Sequence, residues 1–156
     1  MITAVDTNIL LDILIPDDKH LEKSKRLLDE YVLKGQLIIC EIVHAELASQ
    51  FSYERELKDF LSETGIRLIH STEETLCKAG ERWKNYAKSK KQAFQCPQCG
   101  ADTTITCHKC RSVITVRQHI LSDFIIGAHA IHHAELLLSR DRGFYKTYFK
   151  DLNVIE

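Results

Sequence analysis

No stretch of the 156 residues approaches the run of about 18 uninterrupted apolar side chains that a membrane-crossing helix needs. The apolar opening has no basic flank and carries Asp6 and Asp12, which argues against a secretory leader and predicts a cytoplasmic chain with no membrane partner. Net charge is nearly absent, at -1, and there is neither an internal repeat nor a low-complexity linker, so wholesale disorder and repeat architectures are not expected. What is present is 44% hydrophobic and 28% charged content, which suits one compact domain with a sizeable core.

The small net charge hides an uneven distribution. Between Arg82 and Ser122 stand eight Lys and Arg residues and a single acid, Asp102, so the rest of the chain is strongly acidic. A basic segment beside an acidic body suits a protein that holds phosphates on one surface and cations on another. A solvated helix face accounts for the charge alone equally well.

The apolar pattern predicts a buried strand over residues 2–5 and a helix near 9–15, with Thr7 and Asn8 offering capping chemistry. A helix over 18–34 buries Leu21, Leu28 and Tyr31 or Val32, and ends at Gly35. Strands follow over 37–40, 66–69, 136–138 and 152–155. Helices are expected over 41–51, 53–63 (with Leu57, Phe60 and Leu61 on one face), 117–133 and after a turn at Asp141. One more opens at a Ser71-x-x-Glu74 capping box and buries Leu76, Gly80, Trp83 and Ala87. Strands alternating with helices imply an α/β fold, a central parallel sheet covered on both faces. The one break in composition is Gln95 to Ser112, poor in large apolar residues and rich in Cys and Thr. The chain is therefore expected to be one domain over 1–156 with residues 95–112 inserted in it.

Four acids occupy places where acids are costly. Asp6 ends a buried strand, and Asp141 lies just beyond another; ligands of open α/β sheets bind outside the carboxyl ends of strands. Glu46 falls on the apolar side of its helix, three residues after Val43. Asp123 does the same, three after Ile120 and four before Gly127, where a close approach of chain or ligand would explain the glycine. Two carboxylates about 4 Å apart repel by about 4 kcal/mol at an effective dielectric near 20. A cluster of four therefore needs raised pKa values or cations, and oxygen ligands suit Mg²⁺ or Mn²⁺. Taken singly, a strand-end Asp is a common turn or cap residue, and Glu46 could pair with a base.

In order, the segments AVDTNILLDIL, EIVHAELASQF, LSDFIIGAHA and LLSRDRGFY resemble the PIN domain, and within it the small toxin-type ribonucleases of toxin–antitoxin pairs. The likeness covers nearly the whole chain except about 95–112. It implies a three-layer α/β/α fold in which Asp6, Glu46, Asp123 and Asp141 bind the catalytic Mg²⁺ or Mn²⁺. Asn8 would hold a carboxylate or a bound water, Ser139 would stand behind the last acid, and Thr7 would serve as a structural cap. The implied activity is metal-dependent hydrolysis of RNA to a 5′-phosphate and a 3′-hydroxyl. Implied partners are RNA, an antitoxin or a ribosome-assembly factor, and a second copy of the chain.

Cys96-Pro-Gln-Cys99 and Cys107-His-Lys-Cys110 are paired CxxC knuckles seven residues apart, the spacing of a structural Cys₄ zinc site. Gly100 follows the first, where a left-handed backbone is often required. A redox pair or disulfides are the alternative, and His108 is expected to face solvent. The surrounding Lys88, Lys90, Lys91, Arg111 and Arg117 are candidate RNA contacts. His129 and His133 have metal-ligand spacing, but no adjacent acid completes a zinc-hydrolase motif, so a surface or partner-facing role is expected. His119 is expected at the surface, and Cys40 and Cys77 in apolar positions. Two functions compete: a metal-dependent endoribonuclease, and a non-catalytic RNA- or protein-binding module built on the same fold and ribbon. A DNA nuclease is a third.

Overall fold

A computed structural model describes residues 1–15, 19–88, 94–95, 102–114 and 120–156. In chain order the elements are β1 (Ile2–Val5), α1 (Thr7–Leu14), α2 (Leu21–Lys34), β2 (Gln36–Ile39), α3 (Glu41–Ala48), α4 (Glu54–Thr64), β3 (Arg67–Leu68) and α5 (Glu73–Lys88). There follow the short strands β4 (Phe94–Gln95), β5 (Asp102–Thr103), β6 (Ile105–Thr106) and β7 (Val113–Ile114). The chain closes with α6 (Leu121–His133), β8 (Leu136–Leu138), α7 (Arg142–Tyr148) and β9 (Val154–Ile155).

Among the described residues the main sheet has the order β3-β2-β1-β8-β9, and every pairing in it is parallel. Consecutive strand residues point to opposite faces, yet Thr3 to Val5, Leu37 to Ile39 and Leu136 to Leu138 are all buried. The sheet is therefore covered by helices on both faces, as its continuous apolar runs require. From β1 the chain winds one way to β2 and β3, then returns to place β8 on the other side of β1. The strand order thus reverses between β1 and β8, the point beyond whose carboxyl ends open α/β sheets bind their ligands.

Gly127 in α6 has a packing reason. A Cβ there would lie 2.6 Å from the ring of Phe149, itself fully buried. Phe149 joins Phe124, Phe144, Tyr148, Tyr86 and Trp83 in an aromatic cluster that ties α5, α6 and α7 together. Gly35 is likewise required by close approach: a Cβ would meet the Met1 carbonyl at 2.0 Å.

Three local expectations are corrected. The α5 cap is Thr72, whose Oγ1 accepts from the Thr75 amide at 3.2 Å, because Ser71 spends its amide and hydroxyl on Glu41. The buried side of α5 is set by Thr75 and Ala79, leaving Leu76 exposed. Cys77 is exposed for the same rotation, whereas Cys40 is buried.

Candidate active site

The amide of Asp6 donates to the Leu138 carbonyl at 3.0 Å, continuing the β1–β8 ladder one step past the strand and holding the two strand ends together. Asp6 is only 6% exposed. Its Oδ2 accepts from Ser139 Oγ at 2.6 Å and from Asn8 Nδ2 at 2.8 Å, with the Tyr145 hydroxyl at 3.4 Å. Asn8 in turn accepts from the Arg140 amide at 3.1 Å, and the Asp141 amide donates to Ser139 Oγ at 3.0 Å. One connected set of hydrogen bonds therefore links the start of α1 to the loop that follows β8.

The other acids arrive on three further elements. Glu46 stands on the half-buried side of α3 and accepts a short hydrogen bond from the Thr7 hydroxyl. Thr7 is thus not a helix cap: it is the first residue of α1, and it orients Glu46. Asp123 lies in the first turn of α6 and accepts from the Ile120 amide at 3.0 Å. Asp141 is exposed and caps α7, accepting from the Phe144 amide at 3.2 Å.

Several of these groups also act on one another through charge. Burial pushes the Asp6 carboxyl from its ordinary 3.8 up to about 6; the hydrogen bonds from Ser139 and the Thr7 backbone oppose the rise, and the charges of Asp123 and Glu46 add to it. The Tyr145 phenol is raised well above its ordinary value, first by burial and then by the charges of Asp6, Asp123 and Asp141. Two buried groups thus sense all four acids between them. Among the described residues, no three His, Cys, Asp or Glu side chains are grouped closely enough to hold a metal ion as they stand. Each acid is bonded to its own scaffold, and mutual repulsion opposes closer approach. The donor set is all oxygen, drawn from several elements and partly desolvated, which fits a hard divalent cation.

Two further participants were not assigned to the site from the sequence. Tyr145, on α7, is 1% exposed, and its hydroxyl reaches Asp6 across 139 positions of sequence. Asp12 is a buried acid on α1 that pairs with Arg140 at 3.0 Å.

Of the α6 histidines, His132 is exposed and His133 half-buried, but His129 is not at the surface. His129 is 1% exposed, and its Nε2 donates to the Ile69 carbonyl at 2.9 Å. Its ring stacks on His133 at 4.6 Å, and burial followed by the charge of His133 pushes it down to about 4. His132 Nδ1 and His133 Nε2 share the Thr75 hydroxyl, at 2.8 and 3.4 Å. This cluster fastens α6 to α5 and to the end of β3, a structural task. His119 lies outside the described residues.

Between α5 and α6, β4 pairs with β5 and β6 with β7, both antiparallel. The Cys107 amide donates to the Ser112 carbonyl, and the Arg111 amide to the Cys107 carbonyl, both at 2.9 Å. Arg111 has φ +64, the left-handed conformation at the position that Gly100 occupies after the first knuckle. Cys110 Sγ lies 3.0 Å from Ser112 Oγ, and hydrogen bonds from Ser112 and then Cys107 bring its thiol down to about 7. His108, Lys109, Arg111 and Lys88 are exposed. Cys96, Cys99, Lys90, Lys91 and Arg117 lie outside the described residues.

No helix among the described residues is long and apolar enough to cross a membrane. No curated protein matches the chain. The fold is similar to that of solved structures. One is VapBC2 from Rickettsia felis bound to a DNA fragment from their promoter, with TM-score 0.62, 18% identity, and 99% and 98% of the two chains covered. A second is VapBC-1 from nontypeable Haemophilus influenzae, with TM-score 0.62, 17% identity, and 100% and 98% covered. A third is FitAB bound to an IR36 DNA fragment, with TM-score 0.59, 18% identity, and 99% and 94% covered. At such identities the likeness concerns the fold. The PIN domain profile, however, matches residues 3–150, which shows that the chain belongs to the PIN-domain family.

Proposed function

We propose that the chain is a metal-dependent endoribonuclease whose Mg²⁺ or Mn²⁺ is held by Asp6, Glu46, Asp123 and Asp141. The observation that carries this reading is the setting of Asp6: a carboxylate only 6% exposed at the end of β1, with one oxygen held by Ser139 and Asn8 and the charges of Asp123 and Glu46 acting on it. A bound divalent cation would lower the pKa of a water and offset charge on the phosphate oxygens. The chain's own residues prepare for it. Ser139 and Asn8 fix one oxygen of Asp6, Thr7 fixes Glu46, and the Ile120 amide fixes Asp123. Such fixed orientation lowers the reorganisation needed when a phosphodiester arrives.

Lys88 and Arg111 are exposed and, with Lys90, Lys91 and Arg117, are assigned to the phosphate backbone of RNA. The inserted segment over 95–112 is assigned a structural zinc held by Cys96, Cys99, Cys107 and Cys110. The left-handed Arg111 and the Cys107–Ser112 turn support a knuckle at the second pair. Because structural neighbours are complexes named VapBC, the proposed protein partner is an antitoxin.

The reading is tested by cleavage of a single-stranded RNA with Mn²⁺ or Mg²⁺. The parent should cut it, and Asp6→Asn and Asp123→Asn should each lose at least a hundredfold. Parent-like cleavage by either variant would falsify the assignment. An RNA bound but never cut by the parent would favour the binding-module reading instead.

A further inference from the structure

We infer that Asp12 and Arg140 are positioning residues that clamp the loop carrying Ser139 and Asp141 onto α1, and so set the geometry of the cation site. The inference rests on the metal-site reading above and extends it to two residues outside the acidic set.

Asn8 and Asp12 stand four residues apart on α1, one above the other on the same face. Both hold Arg140. Asn8 Oδ1 accepts from its backbone amide at 3.1 Å, and Asp12 Oδ1 pairs with its Nη2 at 3.0 Å. Asp12 is itself fixed from the far side, since its Oδ2 accepts from the buried hydroxyl of Ser24, on α2, at 2.6 Å. The side chain of Asp12 is 4% exposed and that of Arg140 35%.

The neighbours of Arg140 are the two groups that the site needs in register. Ser139 donates to Asp6 on one side, and Asp141 caps α7 on the other. A residue held at backbone and side chain cannot rotate without moving both. The pair is also poorly suited to a stabilising role. Its Asp12 carboxylate is withdrawn from water, and Arg140 Nε is buried with no hydrogen-bond partner among the described residues. An ion pair with one partner buried adds little stability over apolar replacements, and a use left to it is to select one conformation.

The test measures Mn²⁺ affinity of the full chain without RNA, from the loss of the free-ion electron paramagnetic resonance signal. Arg140→Met is the decisive variant, because charge and position act with opposite signs. Removing a cation near the site strengthens Mn²⁺ binding if only charge matters, whereas losing the clamp weakens it. The expected result is an affinity about tenfold lower, in the range seen for groups that orient metal ligands. Asp12→Asn should weaken binding similarly, and the double variant no further than the worse single one, since both break one contact. Arg140→Lys should recover part of the loss. Circular dichroism confirms folding, and if Asp12→Asn does not fold, the Arg140 variants decide alone. Arg140→Met binding as tightly as the parent, or tighter, overturns the clamp and leaves the metal site standing. A parent that binds no Mn²⁺ overturns the metal site, and the clamp's role with it.

Discussion

The Ser139 hydroxyl donates a 2.6 Å hydrogen bond to Asp6 across 133 positions of sequence. The same oxygen accepts from the Asp141 amide at 3.0 Å, so one small side chain joins two of the proposed metal ligands. It is also the strongest influence holding the Asp6 carboxyl down against burial. In Ser139→Ala the Asp6 pKa should therefore rise above its present value. The acidic limb of the kcat/KM profile should move to higher pH, and Mn²⁺ affinity should fall about tenfold. Ser139→Thr should restore both; an unshifted profile in the alanine variant would separate Ser139 from the site.

Asp6 makes folding depend on pH in an unusual direction. Its folded pKa, about 6, lies above the ordinary 3.8, so between those values the native state binds more protons than the unfolded one. Stability from this group is fully present below about pH 4 and is lost as pH rises through 6, by a total of about 3 kcal/mol. Asp6→Asn should therefore become more stable relative to the parent as pH rises from 4 to 7. Urea melts without divalent cations at a series of pH values measure the difference. A gap that stays constant with pH contradicts the strained carboxyl. Adding Mn²⁺ should narrow the gap by stabilising the parent alone.

Gly127→Ala pits a better helix former against a filled space. The gain in helix propensity is up to about 1 kcal/mol, but the new methyl would sit 2.6 Å from the Phe149 ring. That ring is locked among Phe124, Phe144 and Tyr145, so the overpacking cost of about 1–3 kcal/mol should win. Chemical denaturation should show net destabilisation. A variant more stable than the parent would mean that the aromatic cluster repacks freely.

For the inserted segment the expected outcome is one zinc per purified chain. Cys110→Ser and Cys96→Ser should each lose it, measured by atomic absorption. Both variants should keep the acids' response to Mn²⁺, since the Cys₄ site would be structural and closed. Zinc content unchanged in both variants would remove the ribbon from the proposal.

Much of the fold was legible because burial on both faces leaves a mark in composition. Leu136 to Leu138 is an unbroken apolar run and Ile2 to Val5 a run interrupted only by Thr3; both end at polar residues, and they are neighbouring parallel strands of the sheet. Gly127 was recognisable as a close approach, and the approaching group is Phe149. Helix faces were harder to read: α5 turns by about one residue because the Thr75 hydroxyl bonds to His132 on another helix. His129 looked like a surface residue for a related reason. A lone polar residue on an apolar face carries no record of the carbonyl that will accept its proton, here that of Ile69.

Sequence alone determined the alternation of strands and helices and marked acids that stand against an apolar background, Asp6 and Asp12 among them, because both follow from local hydrophobic pattern. Tertiary structure decided that β8 returns beside β1, and with it which distant groups become neighbours. That Thr7 serves Glu46 and that Ser139 and Tyr145 serve Asp6 depends on contacts between elements far apart in the chain. The pairing of Arg140 with Asp12 does too. Hydrogen bonds and charges act over a few ångströms of space, and only the folded chain fixes those distances.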